Sequence, residues 1–166
     1  MPGQPGVRAV TPDDREFLED MLSEAFNWDP ARRAMPRDEL RSVPSIIHYV
    51  TGWPRPGDLG VIAEVDRLPV GAVWIRLFSI DDPGFGFVEA AIPELSIAVA
   101  SNHRGQGIGT LLMQDAEAAA LSAGHDALSL SVERSNPAAA WYRAIGYRHV
   151  ASDIHSDTLI KRLDKP

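Results

Sequence analysis

One short segment constrains the fold of this chain more than any other. An apolar strand-like run leads into Arg104-Gly105-Gln106-Gly107-Ile108-Gly109-Thr110, and an alanine-rich helical pattern follows. Glycines between a strand and a helix start leave backbone N–H groups unshielded, and the helix dipole favours an anion there. The segment therefore predicts a phosphate-binding loop, because a tight turn without a ligand would need only one glycine. It matches neither a Walker loop nor the Gly-x-Gly-x-x-Gly fingerprint.

Length and composition limit the number of domains. The chain has 166 residues, of which 45% are hydrophobic, which is enough for one full core and too little for two ordinary domains. We therefore expect a single domain over residues 1–166, with residues 1–6 as a flexible tail. No segment has the length and apolarity of a signal peptide or a membrane span, so we expect a cytoplasmic protein that does not bind membranes.

Charge and residue types exclude several function classes. The formal net charge is −7, which argues against nucleic-acid binding and would attract cationic substrates modestly. The chain has no cysteine, which excludes disulfides, thiolate nucleophiles and cysteine metal sites. The five histidines show no metal-ligand spacing, so we expect no metal and interpret them as structural or surface residues. Ser152, Asp153 and His155 are the residue types of a hydrolase triad, but the sequence has no Gly-x-Ser-x-Gly elbow, so we do not interpret them as one.

Hydrophobic periodicity predicts a chain of alternating strands and helices. Strands are predicted at residues 7–10, 59–65, 70–78, 94–99, 128–132, 147–151 and 158–163. A first helix follows an N-cap at Thr11 and ends at residues 27–30, and a less regular helical region over residues 38–50 is interrupted near Pro44. Two further helices are predicted at residues 110–123 and 137–145.

Two motifs in this order resemble the GCN5-related N-acetyltransferase (GNAT) superfamily. Leu95-Ser96-Ile97-Ala98-Val99 followed by the glycine segment is similar to that family's Arg/Gln-x-x-Gly-x-Gly/Ala pyrophosphate loop. The run from Ser135 to Tyr147 is similar to its Asn-x-x-Ala…Tyr…Gly-Phe segment, with Tyr147 where phenylalanine is commoner. The resemblance implies an α/β (α+β) fold, in which a mixed, mostly antiparallel, twisted sheet of about seven strands is flanked by about four helices.

The resemblance also implies acetyl-CoA as the acyl donor. The pyrophosphate-binding residues would be Arg104, Gly105, Gln106, Gly107, Ile108, Gly109 and Thr110. The pantetheine arm would pair with the strand edge at Ile97, Ala98 and Val99, where a backbone N–H would polarise the thioester carbonyl. Arg104 either contacts a phosphate or is solvated. Asn136 is expected to cap the following helix, and the resemblance adds a donor contact to that role.

A catalytic pair is assigned by the same resemblance. A lysine-like amine, with a pKa of about 10.4, must lose a proton before it attacks a thioester. Glu94 is the candidate base, with a solvated or salt-bridged side chain as its alternative and Glu89 as a weaker candidate. Tyr142 lies at the family's general-acid position, and a phenol can protonate the departing thiolate. Its alternative role is packing beside Trp141.

The acceptor side is implied by the resemblance to lie at residues 26–28, Trp53 and residues 153–157. Trp28 and Trp53 either line a pocket there or anchor loops. We expect an N-acetyltransferase that moves an acetyl group from acetyl-CoA directly to a primary amine of a small molecule or peptide, and a homodimer is common among similar proteins. A CoA-binding sensor module without turnover and an unrelated nucleotide-binding domain are the alternatives.

Overall fold

The computed structural model describes residues 3–164, which build one seven-stranded sheet with helices on both faces. The strands are Gly6–Ala9 (β1), Leu59–Val65 (β2), Leu68–Arg76 (β3), Glu94–Val99 (β4), Ala127–Glu133 (β5), Arg148–Ser152 (β6) and Ser156–Arg162 (β7). The helices are Arg15–Phe26 (α1), Arg37–Arg41 (α2), Pro44–Ile47 (α3), Ile108–Ser122 (α4) and Ala138–Ala144 (α5). The strand order is β1-β2-β3-β4-β5-β7-β6, and only β4 and β5 are parallel neighbours. The predicted mixed, mostly antiparallel sheet is confirmed, with five helices where about four were expected.

Each face of the sheet carries its own apolar core, because successive strand residues point to opposite faces. On one face, Leu95 of β4 belongs to a buried cluster with Leu112 of α4 and Leu130 of β5. On the other face, Ala98 of β4 packs in a cluster with Leu18 of α1. Neighbouring residues of β4 therefore face different helical layers.

β4 and β5 share a single paired position, Glu94 with Ser129. Beyond it, β4 remains paired with β3 as far as Val99, and β5 remains paired with β7 as far as Glu133. Each strand keeps its outer partner while the two diverge toward their C-terminal ends. The divergence opens a gap in the middle of the sheet.

The hairpin of β2 and β3 is tighter than the sequence predicts. Its turn consists of Asp66 and Arg67 alone, which have φ values of 52° and 66°, as in a two-residue type I′ turn. Leu68 and Pro69, which lie between the predicted strands at residues 59–65 and 70–78, are the first residues of β3. Pro69 pairs with Glu64 beside a register shift, which is where a strand tolerates proline.

The helix starts follow local capping chemistry. Thr11 is the N-cap of a 3₁₀ turn, Pro12–Asp14, that continues directly into α1, and its main-chain N–H donates to Asp14 Oδ2 at 2.7 Å. The irregular second helical region is two short helices, α2 and α3, with Pro44 in the first turn of α3. α4 begins at Ile108, two residues earlier than predicted, because Gly107 adopts a left-handed conformation and serves as its N-cap.

The expected flexible tail covers residues 1–6 of the chain. Residues 1 and 2 lie outside the described part of the chain, and Gly6 is the first residue of β1. Within residues 3–164, none of the helices combines the length and apolarity needed to cross a membrane.

A buried ion pair ties the segment after α3 to the sheet. Arg76 of β3 and Asp58 have side chains only 1% and 2% exposed, and two bonds of 3.0 and 2.7 Å join them. The Arg76 guanidinium also donates to the main-chain oxygens of His48 and Thr51, both at 2.8 Å. It lies 5.6 Å from the ring centre of Trp53. One side chain therefore joins three segments that are distant in sequence.

Replacing Asp58 by asparagine should lower the free energy of unfolding by about 3–5 kcal/mol, because the buried guanidinium would lose its counter-charge. Urea unfolding followed by circular dichroism measures this change. The control is Glu39→Gln, which breaks the exposed Arg33–Glu39 pair and should leave stability near that of the wild type. Equal losses in both variants would contradict a dominant role for the buried pair.

Candidate active site

The glycine loop follows β4 after Ala100 and a 3₁₀ turn, Ser101–His103, and it ends in the first turn of α4. Gly105 and Gly107 have φ values of 75° and 81°, which are strained for any residue with a Cβ atom. The segment from Gly105 to Gly107 is exposed, whereas Ile108 is 2% exposed and anchors the helix start in the core.

The helix start directs N–H groups into this exposed loop. The Leu111 N–H bonds back to the Gly107 oxygen at 3.2 Å, and the preceding N–H groups of Ile108, Gly109 and Thr110 have no partner within the helix. Unshielded N–H groups at the positive end of a helix dipole favour an anion. The exposed glycines and the N-terminus of a helix lie together, as the sequence predicts.

Arg104 lies across this loop in a way that the sequence did not indicate. Its Nε donates to the Val99 oxygen at 3.0 Å, and its Nη2 contacts Glu24 of α1 at 3.1 Å. The guanidinium is therefore held by protein groups at the junction of β4 and the loop. Its positive charge is paired with the Glu24 carboxylate.

The side of β4 that faces the gap carries unpaired backbone groups. The Ala100 N–H donates to the Val70 oxygen of β3, whereas the Pro93 oxygen accepts the Ser129 N–H of β5. The backbone polar groups at even positions of β4 therefore point to β3, and those at odd positions point to β5. The N–H groups of Ile97 and Val99 accordingly point toward β5 at positions where β4 and β5 have separated. The polar groups of Ala98 point to β3. An extended amide chain can pair with the open positions.

Asn136 caps α5 as the sequence predicts. Its Oδ1 accepts the Ala138 N–H at 2.9 Å, and its main-chain oxygen accepts the Ala139 N–H at 3.0 Å. These bonds fix the first turn of the helix that carries Tyr142.

Tyr142 is partly buried on α5 and packs against the core beneath α4. Its ring centre lies 5.1 Å from that of Trp141 and 6.1 Å from that of Tyr147, so the packing role proposed as an alternative is present. Burial raises the pKa of Tyr142, which keeps the phenol protonated at neutral pH. Its hydroxyl makes no hydrogen bond to any other described residue, and its proton is therefore available to a ligand.

Glu94 is buried at the first position of β4, with 3% of its surface exposed. Its Oε1 accepts the Gly86 N–H at 2.9 Å, and its Oε2 accepts the hydroxyl of Tyr49. Burial raises the pKa of Glu94 to about 7, against the opposing effect of these two hydrogen bonds. The carboxyl group therefore exchanges a proton near neutral pH.

The sequence did not identify Tyr49 and Gly86 as part of the site. There is no room for a side chain at Gly86, because a Cβ there would lie 2.6–2.9 Å from the backbone of Leu130 and Ser131 in β5. A Cβ at Gly84 would meet the Glu94 carboxylate itself. The two glycines let the β3–β4 connection pass directly over Glu94 and β5. Their spacing is the sequence feature that could have indicated this close approach.

The weaker sequence candidates lie elsewhere. Glu89 is exposed on the β3–β4 connection. Ser152 contacts His149 at 2.6 Å and Asp157 at 2.8 Å, whereas the Asp153 carboxylate accepts the main-chain N–H of His155. The hydroxyl therefore lies between an imidazole and a carboxylate, which is not the order of a hydrolase triad.

The two tryptophans have different environments. Trp53 is 8% exposed and packs beneath the Arg76 guanidinium, as expected for a loop anchor. Trp28 is half-buried, and the Arg32 guanidinium lies 5.5 Å from its ring centre. Arg32 also bonds to Glu133 of β5 at 3.1 and 3.2 Å. An open cleft of about 120 Å³ beside Trp28 is lined by Phe26, Asn27, Asp29, Arg32, Arg33 and Met35.

Replacing Glu94 by glutamine should stabilise the protein relative to the wild type as pH rises from 5 to 8. The raised pKa means that folding opposes ionisation of Glu94, so the wild type loses stability between its ordinary value, 4.5, and about 7. The relative gain should be on the order of 3 kcal/mol, measured by urea unfolding at both pH values. Glu89→Gln, at an exposed carboxyl of the same connection, is the control. A difference that does not change with pH would contradict the buried, uncompensated carboxylate.

Comparison with known proteins identifies the family. The family model for the acetyltransferase (GNAT) domain matches residues 56–149, more than half of the chain. No curated protein matches the sequence significantly.

Similar solved structures share the fold over nearly the whole chain. A ribosomal-protein-alanine N-acetyltransferase from Brucella melitensis is 23% identical, with 95% of this chain and 99% of that chain covered and a TM-score of 0.68. An N-acetyltransferase from Thermoplasma acidophilum in complex with coenzyme A is 17% identical, with coverages of 96% and 99% and a TM-score of 0.67. A Salmonella typhimurium structure with its cofactor acetyl-CoA is 16% identical, with coverages of 99% and 96% and a TM-score of 0.70. The matched domain and the shared fold show that this chain belongs to the GCN5-related N-acetyltransferase family.

Proposed function

We propose that this protein transfers an acetyl group from acetyl-CoA directly to a primary amine of a small molecule or peptide. One observation carries the proposal: the unpaired edge of β4 is followed, after a single 3₁₀ turn, by the glycine loop at the start of α4. Acetyl-CoA joins an extended amide chain to a pyrophosphate, and the edge and the loop suit these two parts in the same order.

The donor would be held mainly by backbone groups. Residues 105–107 and the first turn of α4 would bind the pyrophosphate through N–H groups, which need no lysine for this task. Ile97 and Val99 would pair with the amides of the pantetheine arm, and one of their N–H groups would polarise the thioester carbonyl. Asn136 is proposed as a further donor contact, and Arg104 adds positive charge beside the loop.

Glu94 is proposed as the group that receives the proton of the amine. A carboxyl with a pKa of about 7 is ionised in half of the molecules at neutral pH and accepts a proton more readily than an ordinary glutamate. Both carboxylate oxygens already accept hydrogen bonds, so a water molecule would connect the amine to Glu94. The absence of cysteine favours direct attack by the amine over an acyl-cysteine intermediate.

Tyr142 is proposed as the acid that protonates the departing thiolate. Burial keeps the phenol protonated at neutral pH, so a proton is present when the carbon–sulfur bond breaks. Its hydroxyl is not committed to any other residue among 3–164, which agrees with such a role.

The acceptor is proposed to be a primary amine in the cytoplasm. The net charge of −7 favours cationic small molecules through long-range attraction. The cleft beside Trp28 lies at the end of β5 that carries Glu133, on the side of the sheet that Glu94 faces.

Release of coenzyme A tests the proposed reaction. The thiol is measured against a panel that contains a polyamine, an aminoglycoside, free lysine and peptides with free N-termini. With an accepted amine, Glu94→Gln and Tyr142→Phe should each lower the rate by about 10²–10⁴-fold, the usual range for a lost general base or acid.

Tyr147→Phe is the matched control for Tyr142→Phe, because it removes a hydroxyl from a neighbouring buried tyrosine and should retain most of the rate. An unchanged rate in Tyr142→Phe would exclude its role as the acid. Thermal stabilisation by coenzyme A without thiol release from any amine would instead support a sensor without turnover.

Binding of the donor tests the glycine loop separately. Gly107→Ala should weaken coenzyme A binding at least tenfold in calorimetry, because its φ of 81° disfavours a side chain and the loop would have to rearrange. Gly124→Ala is the matched control at the other end of α4, where φ is 91°. The two variants should lose similar stability, and equal loss of binding in both would contradict the proposed pyrophosphate site.

A further inference from the structure

Tyr49 is fixed in position by several contacts before it reaches Glu94. It lies in the turn after α3 and is 6% exposed. Its main-chain oxygen accepts the indole N–H of Trp74 at 3.0 Å. Its ring packs against Phe78 and His48, with ring centres 5.1 and 4.9 Å away. The hydroxyl is thus held at one place beside β4.

The hydroxyl of Tyr49 joins two parts of the site. It accepts the Phe85 N–H at 2.8 Å and donates its own proton to Glu94 Oε2. The Gly86 N–H occupies the other carboxylate oxygen. Because the Phe85 N–H requires an acceptor, the phenolic proton is directed at the carboxylate. Both bonds to Glu94 therefore come from donors, which favours its ionised form.

We propose that Tyr49 is a positioning residue for the reaction: its hydroxyl holds the Glu94 carboxylate ionised and oriented, and holds the segment from Gly84 to Gly86 over it. This inference rests on the proposed function, in which Glu94 accepts the proton of the amine. Tyr49 acts through Glu94 and needs no contact with either substrate.

The charged groups on the surrounding elements are committed to other partners. Arg76 on β3 pairs with Asp58, and His48 after α3 pairs with Asp82. On α1, Glu19 pairs with Arg37 and Arg41, and Glu24 pairs with Arg104. Ser129, opposite Glu94 on β5, does not titrate. Within residues 3–164, the hydrogen bonds to the Glu94 side chain come from Tyr49 and Gly86.

Carbon-13 NMR titration of the Glu94 carboxyl in the full-length protein tests the inference without any substrate. The resonance is assigned by its loss in Glu94→Gln. Tyr49→Phe should move the titration midpoint of Glu94 upward by about one to two pH units, because the ionised form loses a hydrogen bond. Tyr147→Phe is the control, since the Tyr147 hydroxyl contacts Glu117 at 3.3 Å on the other face, and should leave the midpoint in place.

The pH dependence of kcat/KM should shift together with the titration midpoint of Glu94. In Tyr49→Phe, the acidic limb of kcat/KM should move upward by the same interval, and the rate should recover at high pH. A folded Tyr49→Phe with an unchanged Glu94 midpoint overturns the inference. If Glu94→Gln keeps the wild-type rate, the proposed base is wrong, whatever the midpoint does.

A second measurement applies if Tyr49→Phe does not fold. The chain has three tyrosines, so fluorotyrosine labelling gives three fluorine resonances, assigned with Tyr142→Phe and Tyr147→Phe. The Tyr49 signal should titrate with the midpoint of Glu94 and lose this step in Glu94→Gln. A Tyr49 signal without that step overturns the inference.

Discussion

The site depends on the separation of β4 and β5 after a single paired position. Unpaired backbone groups inside a sheet are costly unless a partner satisfies them. Here Arg104 bonds to the Val99 oxygen, while the N–H groups of Ile97 and Val99 remain on the open edge. A short 3₁₀ turn connects β4 to the glycine loop, so the open strand edge and the helix start follow one another along the chain. In the proposed function, the edge would pair with the amides of the donor and the helix start would bind its pyrophosphate.

The same paired position determines the electrostatics of Glu94. The residue opposite Glu94 on β3 is Arg76, which would be its natural counter-charge. The Arg76 guanidinium is instead bonded to Asp58 and to two main-chain oxygens. Glu94 is left with neutral donors from Tyr49 and Gly86, so burial dominates and its pKa rises to about 7.

Local patterns in the sequence predicted the strands and helices, the glycine loop and the Asn136 cap, because their causes are local. The positive φ of Gly107 and the Asn136 cap each involve residues a few positions apart. The contact between Tyr49 and Glu94 joins residues 45 positions apart, and no periodicity encodes it. The need for glycine at residue 86 comes from the backbone of β5, which only the folded chain brings near. The start of α4 was misplaced because Gly107 was assigned to the loop and not to a helix cap.

In the proposed reaction, one gap in the sheet would serve both an acid and a base, because successive side chains of β4 point to opposite faces. Glu94 faces the layer that holds Tyr49, whereas Ile97 and Tyr142 pack against the core on the opposite face. The sheet separates the two groups, so neither forms a hydrogen bond with the other and each keeps its own protonation state. In the proposed reaction, the amine would lose its proton on one face while the thiolate gains one on the other. The divergence of β4 from β5 connects the two faces at the point where the strands part.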